Sequence, residues 1–176
     1  MKIALDDIRE EPRHLAYVEP AEPMNAKLAH GADELRLADG LAVDVSYRRA
    51  GLDVFLDGVV RGEVRGCCAR CLGETTFPLE ASLELLLAPA AVGGEHDGAL
   101  REDEIGLAWY EGDEIDLTPL VHEQALLALP TRVLCGESCR GLCPRCGGNL
   151  NTGPCDCPAA APDGPFAALQ TILRDR

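Results

Sequence analysis

The chain has 176 residues, of which 47% are apolar and 26% charged, so it is long enough for one or two small domains with a modest core and too apolar for wholesale disorder. Its 16 basic and 30 acidic side chains leave a formal charge of -14, a field that repels phosphate and excludes a non-specific nucleic-acid coat protein. One Trp, three Tyr and three Phe are too few for a repeated base-stacking platform, so any RNA contact must be local.

The start, Met1-Lys2-Ile3-Ala4-Leu5-Asp6-Asp7, puts two acids where a secretory signal needs an unbroken apolar stretch. Between Ala81 and Val92 the longest apolar run is broken by Glu84 and Pro89, well short of the roughly 20 residues of a membrane helix. These features predict a cytoplasmic chain with reduced thiols, which turns its 9 cysteines from candidate disulfides into candidate metal ligands.

Charge is unevenly spread. Residues 1 to 47 carry a net -5, residues 48 to 72 a net +2, residues 73 to 123 a net -12 and residues 132 to 157 a net +1. The excess acid therefore lies between the two cysteine groups and reads either as a solvated face or as an acidic docking surface.

Leu41, Val43, Val45 and Tyr47 alternate, as do Leu52, Val54 and Leu56, with Ala50-Gly51 as a turn between them, which predicts an antiparallel pair. A third strand through Val60 and Val64 delivers Cys67, Cys68 and Cys71 to a hairpin tip at Leu72-Gly73. Alternation then resumes through Phe77, Leu79, Ala81, Leu83, Leu85 and Leu87. Residues 88 to 104 lack any period and read as a mobile loop.

A helix is predicted from Asp116-Leu117-Thr118-Pro119 to just before Pro130: Asp116 or Thr118 can cap it, and Pro119 is tolerated in its first turn. Leu117, Leu120, Val121, Gln124, Ala125 and Ala128 share one face, and Leu126, Leu127 and Leu129 widen it, so the helix should cover the sheet. After the linker PAAAPDGP, Phe166, Leu169, Ile172 and Leu173 predict a short terminal helix. The whole reads as α+β: an antiparallel sheet or partly open barrel covered by one core helix over residues 1–134, a cysteine-rich zinc-knuckle segment over 135–157, and a linker with a helix over 158–176.

Cys143-Pro-Arg-Cys146-Gly147-Gly148 has the form of a zinc knuckle, in which two thiolates two residues apart grip one ion and the glycines permit the tight turn. Cys155 and Cys157 form a second close pair. With Cys68-x2-Cys71, Cys135 and Cys139, eight thiolates make up one or two four-cysteine zinc sites, and Cys67 is left over. Spacing does not fix which cysteines share an ion. The preferred grouping is Cys143, Cys146, Cys155 and Cys157 in one site, with Cys68, Cys71, Cys135 and Cys139 in the other, the latter closing a loop of 63 residues. A site closed by four thiolates is structural and does not activate water.

Enzymatic readings of the same cysteines fail. Cys139-x3-Cys143-x2-Cys146 has the spacing of radical enzymes that hold an iron–sulfur cluster, but the chain is too short for their usual barrel. Cys135-Gly-Glu137 with Cys143-Pro-Arg-Cys146 departs from the deaminase signature in the position of its proline. Cys68-Ala-Arg-Cys71 is flanked by strands and so lacks the strand-to-helix turn of thioredoxin-like motifs. His14, His30, His96 and His122 pair with nothing at metal or triad spacing, and His122 reads as a surface or packing residue of the helix. No phosphate-binding loop or nucleophile elbow is present, and no catalytic residue is assigned.

Cys68-Ala-Arg-Cys71 after a strand, Glu114-Ile115-Asp116-Leu117 with Glu123 and Leu126-Leu127-Ala128-Leu129-Pro130, Cys139-Arg-Gly-Leu-Cys143-Pro-Arg-Cys146-Gly-Gly-Asn149-Leu-Asn151, and Pro165-Phe166-Ala167-Ala168-Leu169 together give a chain that resembles the YceD-like large ribosomal RNA subunit accumulation proteins. The resemblance implies a non-enzymatic role in the synthesis, processing or stability of 23S ribosomal RNA, and hence in large-subunit biogenesis. Arg61, Arg65 and Arg70 lie before or within the first cysteine group, and Arg132, Arg140 and Arg145 flank or interleave the second. Brought together by metal, these six guanidiniums are candidate contacts to pre-ribosomal RNA; equally, they are counter-charges to the zinc thiolates. The alternative partner is a basic ribosomal protein, held by an acidic adaptor without direct RNA contact. No membrane and no small-molecule substrate is expected.

Overall fold

A computed structural model describes residues 1–29, 35–90 and 107–158. Its elements in chain order are β1 (Lys2–Ala4), a single 3₁₀ turn at Leu5–Asp7, β2 (Arg13–Glu19), α1 (Ala21–Leu28), β3 (Arg36–Leu37), β4 (Leu41–Ala50), β5 (Asp53–Cys67), β6 (Glu74–Pro89), β7 (Leu107–Tyr110), β8 (Glu114–Asp116) and α2 (Leu117–Leu127). The main sheet runs β2-β4-β5-β6-β7, with β3 also paired to β5, and β1 pairs separately with β8. Among the described residues the order does not close into a barrel.

The expected β4–β5 pair forms in the register that alternation predicts, with Val43 opposite Val60 and Tyr47 opposite Leu56. The separate third strand is corrected: Asp53–Cys67 is one strand of 15 residues. Gly58 and Gly62 occupy core-facing positions in its period, so the apolar alternation is lost there although the strand continues. A Cβ at Gly58 would collide with the Asp44 carbonyl oxygen, and one at Gly62 would lie 2.8 Å from Leu41 Cδ2. Glycine at these points lets β4 and the core approach the strand closely.

All main-sheet pairings are antiparallel except the last, where β7 runs parallel to β6. The core is built from the inward residues Val43, Val45, Val54, Leu56, Val60, Val64, Leu79, Leu83 and Leu87, closed over by Leu117, Val121 and Ala125 of α2. A second helix, α1, adds Met24 and Leu28, so the core is covered by two helices where one was expected. Asp116 accepts a hydrogen bond from the Thr118 amide at 3.0 Å, the expected N-cap. Leu127, counted in the apolar face from sequence, is 72% exposed because α2 packs on β6, β5 and β1 through the buried residues Leu117, Val121, His122 and Ala125, with Leu120 partly buried beside them.

That face includes His122, which is buried beside the equally buried Glu19 of β2, with Nε2 at 3.6 Å from the carboxylate. Burial lowers the histidine pKa, with the nearby Lys27 charge adding to the shift and Glu19 opposing it. Among the described residues no helix is long and apolar enough to cross a membrane. Most of the loop expected at 88 to 104 and the terminal helix after Pro165 lie outside the described residues.

Candidate metal centres

The β5–β6 hairpin ends in a turn that carries Cys68 and Cys71. Within it the Leu72 amide donates to the Cys68 carbonyl and the Cys68 amide to the Gly73 carbonyl, both at 2.9 Å. The same pair of bonds recurs in the C-terminal segment, where the Gly147 amide donates to the Cys143 carbonyl at 2.9 Å and the Cys143 amide to the Gly148 carbonyl at 2.8 Å. Each Cys-x2-Cys is thus one knuckle, and in each the residue after the second cysteine has positive φ: 57° at Leu72 and 72° at Gly147.

The structure brings the eight cysteines into two groups, Cys68, Cys71, Cys135 and Cys139 in one and Cys143, Cys146, Cys155 and Cys157 in the other, with the sulfurs of each group within 4.8 Å of one another. In the first group Cys68 Sγ lies 3.8 Å from Cys139 Sγ, and Cys71 Sγ lies 3.7 Å from Cys135 Sγ. A disulfide would need about 2.0 Å, whereas a tetrahedron of thiolates ~2.3 Å from a central ion has edges of about 3.8 Å. The chemistry and spacing of the donors therefore fit a four-coordinate divalent ion. Cys67 belongs to neither group and is half-buried.

Backbone amides point at the sulfurs. The Cys68 thiol is pulled down to about 6 by the amides of Cys135, Arg70 and Cys71, and that of Cys143 to about 6 by the amides of Cys146 and Arg145. The Asn151 side-chain amide, 3.4 Å from Cys139 Sγ, lowers that thiol as well. Conversely, Cys135 is pushed up to about 12 by its hydrogen bonds to the sulfurs of Cys139, Cys71 and Cys68, and Cys157 to about 12, chiefly by Cys146. Crowded thiols hold their last proton tightly, and a divalent cation is the species that displaces it.

The two groups form one block. Asn151 accepts from the Arg140 amide at 2.8 Å while donating to Cys139, the Leu142 amide donates to the Arg70 carbonyl at 3.1 Å, and Leu142 bridges to Asn149. Leu134 and Leu142 pack on Cys68, Cys71 and Cys139. Gly141, at φ 74°, passes so close to the hairpin that a Cβ would sit 3.1 Å from the Arg70 carbonyl oxygen.

The candidate arginines fare differently. Arg61 is ion-paired with Glu80 at 3.2 Å, and the Arg70 guanidinium donates to the carbonyls of Glu137 and Cys139 at 3.1 Å, clamping the second cysteine segment to the hairpin. Arg65, Arg132, Arg140 and Arg145 are exposed and have no ion pair among the described residues. Asn151 was not among the site residues expected from sequence, although an asparagine two residues from another in a cysteine-rich turn is a usable signal for sulfur-directed amides.

A family model described as "Large ribosomal RNA subunit accumulation protein YceD" matches residues 56–173, which include both cysteine groups. The chain is 26% identical over 165 residues to the large ribosomal RNA subunit accumulation protein YCED homolog 1, chloroplastic, of Arabidopsis thaliana, covering 78% of this chain and 51% of that protein. It is 31% identical over 141 residues to the protein of the same description from Zea mays, covering 66% of this chain and 47% of the relative. An uncharacterized protein of Mycobacterium tuberculosis is 31% identical over 127 residues, covering 70% of this chain and 59% of its own length. The chain thus spans about half the length of these curated relatives. No solved structure matches.

Proposed function

The chain belongs to the YceD family of large ribosomal RNA subunit accumulation proteins, and on that premise we propose that it is a non-enzymatic, cytoplasmic factor supporting the synthesis, processing or stability of 23S ribosomal RNA, with one structural zinc ion in each thiolate group. The reading is carried by the two four-sulfur groups inside the matched region. Four soft thiolates at tetrahedral spacing suit zinc, and such a site has no open position for substrate or water. Zinc would supply a fixed cross-link and no reaction. The chain's own residues do the rest: Arg70 clamps the hairpin to the Glu137 and Cys139 carbonyls, Asn151 ties Cys139 to the segment of the second group, and the exposed arginines Arg65, Arg132, Arg140 and Arg145 offer forks for phosphate.

A second reading is favoured by the net -12 of residues 73 to 123 and by the exposed Asp57 and Glu84 directly opposite each other on β5 and β6. An acidic surface of this kind suits a basic ribosomal protein, held without direct RNA contact. Sedimentation of cell extract with and without RNase separates the two. RNase-sensitive co-migration with large-subunit precursors, together with one zinc per thiolate group by elemental analysis, is the expected result. Capture of a ribosomal protein that survives RNase would replace the RNA reading with the adaptor.

A further inference from the structure

Beside the first thiolate group, where the end of α1 meets the tips of β3, β5 and β6, the described residues bound a cavity of about 1080 Å³, lined by Asn25, Arg36, Arg65, Cys67, Glu74 and Thr76 among others. The sheet register makes it unusual. Arg36 of β3 lies directly opposite Arg65 of β5, which in turn lies opposite Thr76 of β6, so two arginines and a hydroxyl form one row across three strands. Directly opposed residues share a face, and like charges so placed repel. This row faces away from the core: its neighbours Leu37 and Val64 are buried, whereas Arg36, Arg65 and Thr76 are exposed.

Neither arginine has an ion pair among the described residues, although Glu74 lines the same cavity and Glu63 stands two residues before Arg65 on its strand. By contrast, Arg61 on the same face of β5 meets Glu80 across the β5–β6 pair. A fold that pairs one arginine and leaves the next two facing each other has room there for an external anion. Among the described residues that line it, the side chains of Arg36, Arg65 and Glu74 sum to a formal +1, and Cys135 of the first thiolate group borders the same cavity; the two guanidiniums are its only cationic groups among the described residues.

We propose that this cavity seats one phosphodiester of single-stranded RNA, with the Arg36 and Arg65 guanidiniums on the non-bridging oxygens and the Thr76 hydroxyl as a further donor. Planar guanidinium forks bind two phosphate oxygens at once, and a chain phosphodiester presents two non-bridging oxygens to them. The inference rests on the reading that the protein contacts ribosomal RNA, and it adds Arg36, a residue outside both cysteine groups, to that contact. It also extends the contact from the arginines of the cysteine-rich segment onto the sheet beside the metal centre.

The test is fluorescence anisotropy of a labelled oligouridine titrated with the zinc-loaded protein at several salt concentrations, with Arg36→Gln, Arg65→Gln, the double variant, and Arg13→Gln on the far edge strand as control. The double variant should bind roughly tenfold more weakly and flatten the salt dependence by about 0.7 in log–log slope, the share of one phosphate on a single strand. Its melting temperature should be equal or higher, because two opposed charges are gone. Arg13→Gln should change neither affinity nor slope. If the wild-type protein binds the RNA and the double variant matches it in affinity and slope, the cavity assignment is wrong and the RNA reading stands. A double variant that melts lower and binds normally makes the arginines structural, and the cavity assignment is wrong in that case too. Competition by inorganic phosphate at concentrations comparable to the RNA overturns the diester in favour of a free anion. If the wild-type protein binds no RNA, the RNA reading fails and the inference falls with it.

Discussion

The two thiolate groups use the same knuckle, hydrogen bond for hydrogen bond, yet they do different work. Cys68, Cys71 and Cys139 of the first group are buried, and the loop between Cys71 and Cys135 contains 63 residues, including all of β6, β7, β8 and α2. In the second group Cys146 is exposed, Cys155 and Cys157 are half-exposed, and the longest gap between successive ligands is the 8 residues from Cys146 to Cys155. With an ion in each group, one chemical motif would serve as a long-range tether in the first case and as a local staple in the second. The difference lies in what each ring encloses and owes nothing to the donors.

Breaking one ligand in each group gives the largest contrast. Closing a flexible loop of this length costs about 4 kcal/mol in chain entropy, against about 2 kcal/mol for the short one. Cys71→Ser should therefore lose one zinc and lower the main unfolding transition by about 4 kcal/mol, or roughly 10 °C for a domain of this size. Cys155→Ser should also lose one zinc but leave that transition nearly in place, the damage appearing as faster amide exchange confined to residues around 143–157. Elemental analysis and calorimetry on the two variants decide the matter. Equal shifts in melting would show that the second group also supports the sheet.

A smaller effect sharpens the comparison by cutting the tie between the groups. Asn151 joins them by accepting from the Arg140 amide and donating to Cys139 Sγ. Outer-shell partners of this kind typically change metal affinity by about 10–100-fold. Asn151→Ala should weaken zinc at the first group by about tenfold in competition with a chromophoric chelator, although Asn151 lies in the segment of the second. If only the second group loses affinity, the two are energetically separate.

How much of this was legible in the sequence depends on whether a residue's role follows from its own neighbours along the chain. The Asp116 cap, the β4–β5 register and the turn at Leu72-Gly73 are local and could be read directly. The continuity of β5 was hidden because Gly58 and Gly62 replace apolar residues at inward positions, for a reason that resides in β4 and the core. α1 was hidden too, since it starts after Pro20 without a side-chain cap and shows only two buried residues. Spacing alone allowed several partitions of the cysteines, and the sulfurs gather in the two groups of the preferred one, each of which could hold an ion. Arg36 gave no signal of its own, because its significance arises from the strand it faces.

The smallest expected effect concerns the one place where the twin knuckles differ in backbone chemistry. Position 147 is glycine at φ 72°, whereas its counterpart in the tether is Leu72 at φ 57°, a side chain 66% exposed. A left-handed conformation costs an L-residue about 1–2 kcal/mol, while glycine loses about 0.5–1 kcal/mol more than alanine in backbone entropy on folding. With little burial to lose, Leu72→Gly should raise stability by about 0.5 kcal/mol, a shift of roughly 1–2 °C measured at saturating zinc. By the same balance the reciprocal Gly147→Leu should cost about 0.5 kcal/mol, felt in the second knuckle. If Leu72→Gly instead lowers the melting temperature, the leucine side chain is holding the tether closed, and the two knuckles differ in packing as well as in what they enclose.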